Sequence, residues 1–161
     1  MIVVADTSVI LNLCRVQHEH LLQQLFKRVL IPDEVAAEFA RLTKIQKRFS
    51  GLVFPNWIEI LPAPKTFPTE VIEAQLHIGE SAAIALCLKQ KADLLLIDEL
   101  AGREVAAKLG LRTVGIIGIL IDARNDNLIP NIKLLLERLE REASFWISRD
   151  LRLQVLQLAG E

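Results

Sequence analysis

The sequence predicts an α/β protein built around a central, mainly parallel sheet, and three observations predict it. Short apolar runs alternate with helical patterns along the chain, as in sheets whose strands are joined by helical crossovers. The run Leu94-Leu95-Leu96-Ile97 is apolar without alternation, which suits a strand covered on both faces. Aspartates directly follow two of the predicted strands, the place where sites form in open parallel sheets.

The β-branched run Ile2-Val3-Val4 reads as the first strand. Asp6-Thr7-Ser8 then offers cap chemistry for a helix through residues 9–14. A second helix is expected over residues 20–28. Val29-Leu30-Ile31 reads either as a short strand or as a turn before Pro32. Pro32 is expected to open a helix at its first position, with Val35, Ala36, Phe39 and Leu42 as the apolar stripe. Residues 44–50 are polar and basic, and Gly51 closes them. Trp57-Ile58-Glu59-Ile60-Leu61 reads as a strand. The prolines at 62, 64 and 68 mark a loop, and a short helix follows over 69–76. Gly79-Glu80-Ser81 starts the clearest helix, over 82–90. After the apolar strand at 94–97, a helix over 101–109 stops at Gly110. Arg112-Thr113-Val114 reads as another strand, and helical patterns follow at 117–124, 131–142 and 148–158. No internal repeat or linker interrupts the pattern, so a single domain over 1–161 is expected.

Composition narrows the class. The 161 residues are 52% hydrophobic, with a mean hydropathy of +0.34. That is enough for a real core and points to subunit or partner interfaces. The longest apolar run, residues 114–121, holds two glycines and falls far short of the ~20 residues that span a bilayer. The first residues reach an acid at once, with no basic leader region, so a cytoplasmic location is expected. Cys14 and Cys87 lie in apolar helical stretches and read as free buried thiols in a reducing compartment. Net charge is −1 and the pI about 6.3, so overall charge gives no support to nucleic-acid binding.

The acids carry the functional argument. Asp6 and Asp98 end two predicted strands, and both would face one crevice if those strands are neighbours. Each also has a plain reading as the cap of the helix that follows. Glu80 sits where a helix dipole favours an acid, or where the Gly79 turn aims it into the same crevice. Glu38 is mid-helix, and periodicity alone does not single it out. Clustered carboxylates repel and raise one another's pKa unless a cation intervenes. Mg²⁺ and Mn²⁺ are hard ions that take oxygen ligands. An acid set without histidine or cysteine therefore suggests phosphodiester hydrolysis.

Four stretches together resemble a known family. Val4-Ala5-Asp6-Thr7-Ser8 is similar to the opening motif of PIN domains. Pro32-Asp33-Glu34-Val35-Ala36-Ala37-Glu38 resembles the helix carrying their second acid. Gly79-Glu80-Ser81-Ala82-Ala83-Ile84-Ala85 and Leu95-Leu96-Ile97-Asp98-Glu99 resemble the third and fourth. The match extends through Gly102-Arg103 and Val114-Gly115 to about residue 120, leaving the C-terminal helices outside it. The nearest flavour is that of the prokaryotic VapC-like ribonuclease toxins.

The resemblance implies a three-layer α/β/α sandwich and a Mg²⁺- or Mn²⁺-dependent endoribonuclease acting on RNA, often dimeric and often paired with a protein antitoxin. It implies Asp6, Glu38, Glu80 and Asp98 as the metal-binding, catalytic acids, with Ser8 as an auxiliary polar contact. Two features depart from the family. Glu99 stands where relatives often carry aspartate, and Gly115-Ile116-Ile117-Gly118 offers no polar side chain where some relatives have one. These departures motivate a competing reading, an inactive PIN-like module that binds RNA or protein.

Among the basic residues, Arg41, Lys44, Lys47 and Arg48 form a cluster after the Glu38 helix. They are either a solvated helix end or an RNA-backbone contact. Arg103, one turn past Asp98, is a candidate partner for a phosphate or for the acids. His18, His20 and His77 carry no assigned role. The leucines of the last two helices are either core or an interface with a partner.

Overall fold

The computed structural model describes residues 1–161. Five strands are β1 (Ile2–Ala5), β2 (Arg28–Pro32), β3 (Glu59–Leu61), β4 (Leu94–Leu96) and β5 (Thr113–Val114). Nine helices surround them: α1 (Thr7–Arg15), α2 (His20–Leu25), α3 (Asp33–Ile45), α4 (Thr69–Ala74), α5 (Ile78–Gln90), α6 (Leu100–Lys108), α7 (Ile116–Asn125), α8 (Lys133–Ala143) and α9 (Arg149–Leu158). All four strand pairings are parallel, in the order β3-β2-β1-β4-β5. The sheet with its covering helices makes the expected α/β/α sandwich.

This order places the first strand in the middle. The chain moves outward on one side through β2 and β3, then returns to lay β4 and β5 on the other side of β1. The direction of progression reverses between β1 and β4. There the helices diverge and leave a crevice beyond the carboxyl ends of the strands. Val3 pairs with Leu94, Val4 with Leu95 and Ala5 with Leu96, so the two strands end level with each other.

Burial explains why the elements form. Val3, Val4, Leu95 and Leu96 are fully buried, as the non-alternating runs require. Helix α5 is buried without break from Gly79 to Cys87 and packs on β1, β2 and β4. Ala82, Ala83 and Ala85 let it approach the sheet closely, and a helix apolar on every face belongs in a core. Cys14 and Cys87 are free, buried thiols, and desolvation pushes both up to about 12.

Several boundaries differ from the sequence expectation. Residues 29–31 are a true strand, and it begins at Arg28, which bridges to Glu59 of β3 at 2.6 Å instead of ending a helix. Pro32 does not open α3. It pairs with Leu61 as the last residue of β2 and caps the helix, which starts at Asp33. The basic stretch is the last turn of α3 plus a short 3-10 turn, Lys47–Phe49, anchored by buried Phe49. Strand β3 is only three residues, because Trp57 and Ile58 turn before the ladder begins. Helix α5 starts four residues earlier than the apolar pattern shows, at Ile78.

The C-terminal helices are tied down by polar contacts that no periodicity encodes. The Glu161 carboxylate accepts from the amides of Ile132 (2.7 Å) and Lys133 (3.1 Å), closing the start of α8. Glu142 accepts from Arg15 of α1 and from Arg138. Between α8 and α9, Ser144 takes a left-handed conformation (φ 55°) and the Phe145 amide reaches back to the Leu139 carbonyl. Ser148 then caps α9 by accepting from the Leu151 amide.

Candidate active site

The crevice between β1 and β4 has a volume of about 900 Å³, and Asp6, Ser8, Glu38, Glu80, Asp98, Glu99 and Arg103 all line it. The four acids singled out in the sequence are thus brought together, with all three auxiliary residues beside them. Asp6 leaves β1 and Asp98 leaves the end of β4, and the Asp6 amide donates to the Leu96 carbonyl at 2.8 Å. That bond locks the two strand ends, and with them the two aspartates, into one frame.

Neither aspartate caps the helix that follows it. Asp6 stands at the cap position of α1 but makes no capping hydrogen bond. Glu99, not Asp98, occupies the cap position of α6. Asp98 Oδ1 instead accepts from the Ile116 amide at 3.0 Å, capping α7 eighteen residues later in the chain. Strand β5 makes this possible by laying the start of α7 beside the end of β4.

Glu80 is in the first turn of α5, yet it is buried, only 6% exposed. A solvated helix-start acid would not be. Glu38 is half-buried and reaches from α3 to the start of α5. Glycines make room for these carboxylates. A Cβ at Gly79 would lie 2.5 Å from Glu38 Oε2, and one at Gly102 would lie 2.8 Å from Glu80 Oε2. A Cβ at Gly115 would collide with Asp98 Oδ1 and lie 3.5 Å from Arg103 Nη1. Gly102 lies inside α6, where glycine costs about 1 kcal/mol relative to alanine; a Cβ there would meet Ile97 Cδ1 at 2.5 Å as well as Glu80, so the glycine makes room for both.

The electrostatics are those of a site short of positive charge. Burial, with the charges of Glu80, Glu38 and Glu99, raises Asp6 to about 7, opposed in part by the Thr7 amide. Desolvation also raises Glu80, reinforced by Glu99 and Glu38 and opposed by His77. Burial raises Asp98, against the Ile116 amide and Arg103. Glu80 Oε2 and Asp98 Oδ2 are buried and lack any hydrogen-bond partner, as do Thr7 Oγ1 and Ser8 Oγ. Such groups are costly unless something satisfies them. Arg103 lines the crevice and makes no ion pair.

These observations fit a hard divalent cation. The donors are oxygens, two of them orphaned, and the acids resist ionising together unless a cation joins them. No group of three or more acids, histidines or cysteines is clustered tightly enough to cage an ion unaided. Mg²⁺ keeps several of its waters when bound, so some of these acids would reach it only through water. Six waters at ~30 Å³ each would fill only a small part of the crevice, leaving room for a substrate.

Sequence reasoning missed part of the lining. Asn12, Gln46, Phe49 and His77 face the crevice, as do Phe145 and Trp146 from the connection between α8 and α9. Asn12 was findable, being one helical turn after Ser8 on α1. His77 caps α5 two residues before Gly79, and its proximity to the motif was the only clue. The connection is distant in sequence from every acid and had no local mark. Of the basic cluster, only Arg48 reaches the crevice. His18 and His20 lie outside it, their rings tilted against each other with centroids 5.4 Å apart.

A family model described as the PIN domain matches residues 2–161. The chain is similar in structure to a PilT N-terminus domain protein from the hyperthermophilic archaeon Sulfolobus solfataricus P2. The TM-score is 0.54 and the identity 19%, over 76% of this chain and 93% of the other. At that identity the likeness speaks for the fold. No curated protein matches the chain. No helix is long and apolar enough to cross a membrane.

Proposed function

Because the chain belongs to the PIN-domain family, a nuclease fold, we propose that it is a divalent-metal-dependent endoribonuclease whose site is the crevice between β1 and β4. The observation that carries this reading is the pair of buried, partnerless carboxylate oxygens, Glu80 Oε2 and Asp98 Oδ2, beside an Asp6 raised to about 7. A fold keeps such a cluster when a cation is part of the working state.

Asp6, Glu80 and Asp98 are the acids that would hold Mg²⁺ or Mn²⁺ at the floor, with Glu38 closing the set from α3. When bound, the cation supplies a polarised phosphate and an acidified water. The protein's own contribution is placement. The Ile116 amide fixes which Asp98 oxygen turns inward, and Gly79 and Gly102 let Glu38 and Glu80 approach. Ser8 offers a hydroxyl to a water or a phosphate oxygen, and Glu99 adds negative charge at the rim. Arg103, beside Asp98 and unpaired, is placed to receive a phosphate. The net reaction adds water across one P–O bond, leaving one end as a phosphate and the other as a hydroxyl.

A role as the toxin of a toxin–antitoxin pair, acting as a homodimer, belongs to the same reading. Support comes from apolar side chains left in solvent on the last helices, Leu134, Leu153 and Leu158, which a partner would cover. An inactive binding module is the competing reading, favoured by the lack of a polar side chain at 115–118.

RNA cleavage with Mg²⁺ or Mn²⁺, alongside EDTA and an Asp6→Asn variant, tests the proposal. Cleavage lost in both controls supports it. Folded protein that neither binds Mn²⁺ nor cleaves RNA supports the inactive module.

A further inference from the structure

A large aromatic side chain left in solvent lines the same crevice as the acids. Trp146 is 80% exposed, although a tryptophan offers one of the largest apolar faces to bury. Its position is not that of a loose loop. On one side, Ser144 stops α8 in a left-handed turn and the Phe145 amide is held by the Leu139 carbonyl at 3.0 Å. On the other, Ile147 is buried and Ser148 caps α9. Phe145 is partly buried against the core while it lines the crevice, Ile147 is buried, and Trp146 between them is exposed. A short strap anchored at both ends thus presents one indole to solvent.

The indole also lines the same crevice as the carboxylates, together with Arg48 and Arg103. Arg48 is braced over the Phe49 ring at 4.7 Å. An exposed aromatic face, two arginines free of carboxylate partners and a cation-seeking acid floor share one cavity. Nucleobase, phosphate backbone and scissile phosphate are the three parts of a polynucleotide those features match.

We infer that Trp146 is a base-stacking subsite for single-stranded RNA, holding one unpaired base while Arg48 and Arg103 take the flanking phosphates; this rests on the nuclease reading of the crevice. A base inside a duplex is already stacked on its neighbours and cannot offer its face, so the subsite selects unpaired nucleotides. Stacking on an indole depends on the π-face that every base has, so the site grips the strand without reading its sequence.

The chain has two tryptophans, Trp57 and Trp146. In a Trp57→Phe, Asp6→Asn background, emission reports Trp146 alone and cleavage is suppressed. Titration with a short single-stranded RNA in Mg²⁺ should quench that emission, and the same sequence annealed as a duplex should quench it much less. In the Asp6→Asn protein, Trp146→Ala should weaken binding of the single strand about tenfold, the loss equivalent to ~1.4 kcal/mol of stacking. Trp146→Phe should restore most of it. With an active chain, Trp146→Ala should raise KM with kcat little changed.

Binding by Trp146→Ala within twofold of its parent, with emission indifferent to RNA, overturns the subsite and leaves the nuclease reading standing. Failure of the parent itself to bind or cut RNA removes both. Emission that shifts with protein concentration in the absence of RNA, alongside self-association lost in Trp146→Ala, assigns the indole to a contact between copies and overturns the proposal.

Discussion

Replacing Asp6 by asparagine should stabilise the metal-free protein above neutral pH while ending its activity. An unfolded aspartate titrates near 3.8, and in the fold Asp6 titrates near 7. Between those values the folded chain keeps a proton that the unfolded chain has lost. Stability therefore falls as pH rises through that window and levels off above 7. The full difference is about 4 kcal/mol, at 1.36 kcal/mol for each tenfold change in proton affinity. More than half of it accrues between pH 5 and pH 8. Asparagine keeps the shape of the neutral carboxyl and cannot ionise, so the variant escapes the loss. At ~3 °C per kcal/mol for a chain of this size, its Tm in EDTA should exceed the parent's by about 12 °C at pH 8, with a gap less than half as large near pH 5. Thermal denaturation followed by circular dichroism at the two pH values reads this directly. Added Mg²⁺ should close the gap by stabilising the parent. A gap that does not change with pH, or a less stable variant at pH 8, would refute the electrostatic account of the site.

Three further outcomes follow from named contacts. Gly79→Ala should leave the fold intact, since alanine suits a helix start, but displace Glu38, whose oxygen holds that space; we expect cleavage to fall at least tenfold with Tm within a few degrees of the parent. Arg103→Ala should lower the slope of log affinity against log salt by about 1, as one lost phosphate contact requires; an unchanged slope would place Arg103 outside the RNA path. Glu161→Ala removes the acceptor for the Ile132 and Lys133 amides and should cost about 1 kcal/mol, as loss of a helix cap does, read as a Tm lower by ~3 °C with activity retained.

Much of the architecture was legible in the residues because local rules govern it. Continuous apolar runs at 2–5 and 94–97 predict buried parallel strands, since a strand covered on both faces cannot alternate. The helical patterns emerged within a few residues of their true ends. The errors fell where side-chain pattern and backbone pairing part company. Arg28 fits a helix end by composition, but pairing with β1 draws it into a strand, and Pro32 serves a strand and a cap at once.

The site was legible only in part. Asp6 and Asp98 stood out by their place after predicted strands, and Glu38 entered through family resemblance alone, because a half-buried acid in mid-helix has no periodic mark. That β1 and β4 are neighbours is a fact of strand order, which a crossover decides and no local pattern states. The same holds for the Asp98 contact with Ile116, for the close passage of Glu80 past Gly102, and for Trp146 in the crevice lining. Each joins segments far apart in the chain, and only the folded backbone brings them within reach. By itself, then, the sequence determined the class of fold and the chemistry of the acids, since both follow from residue type and short-range order. The tertiary structure alone decided which acids share a crevice, which oxygens are left without partners, and which other side chains line it, because long-range packing sets those distances.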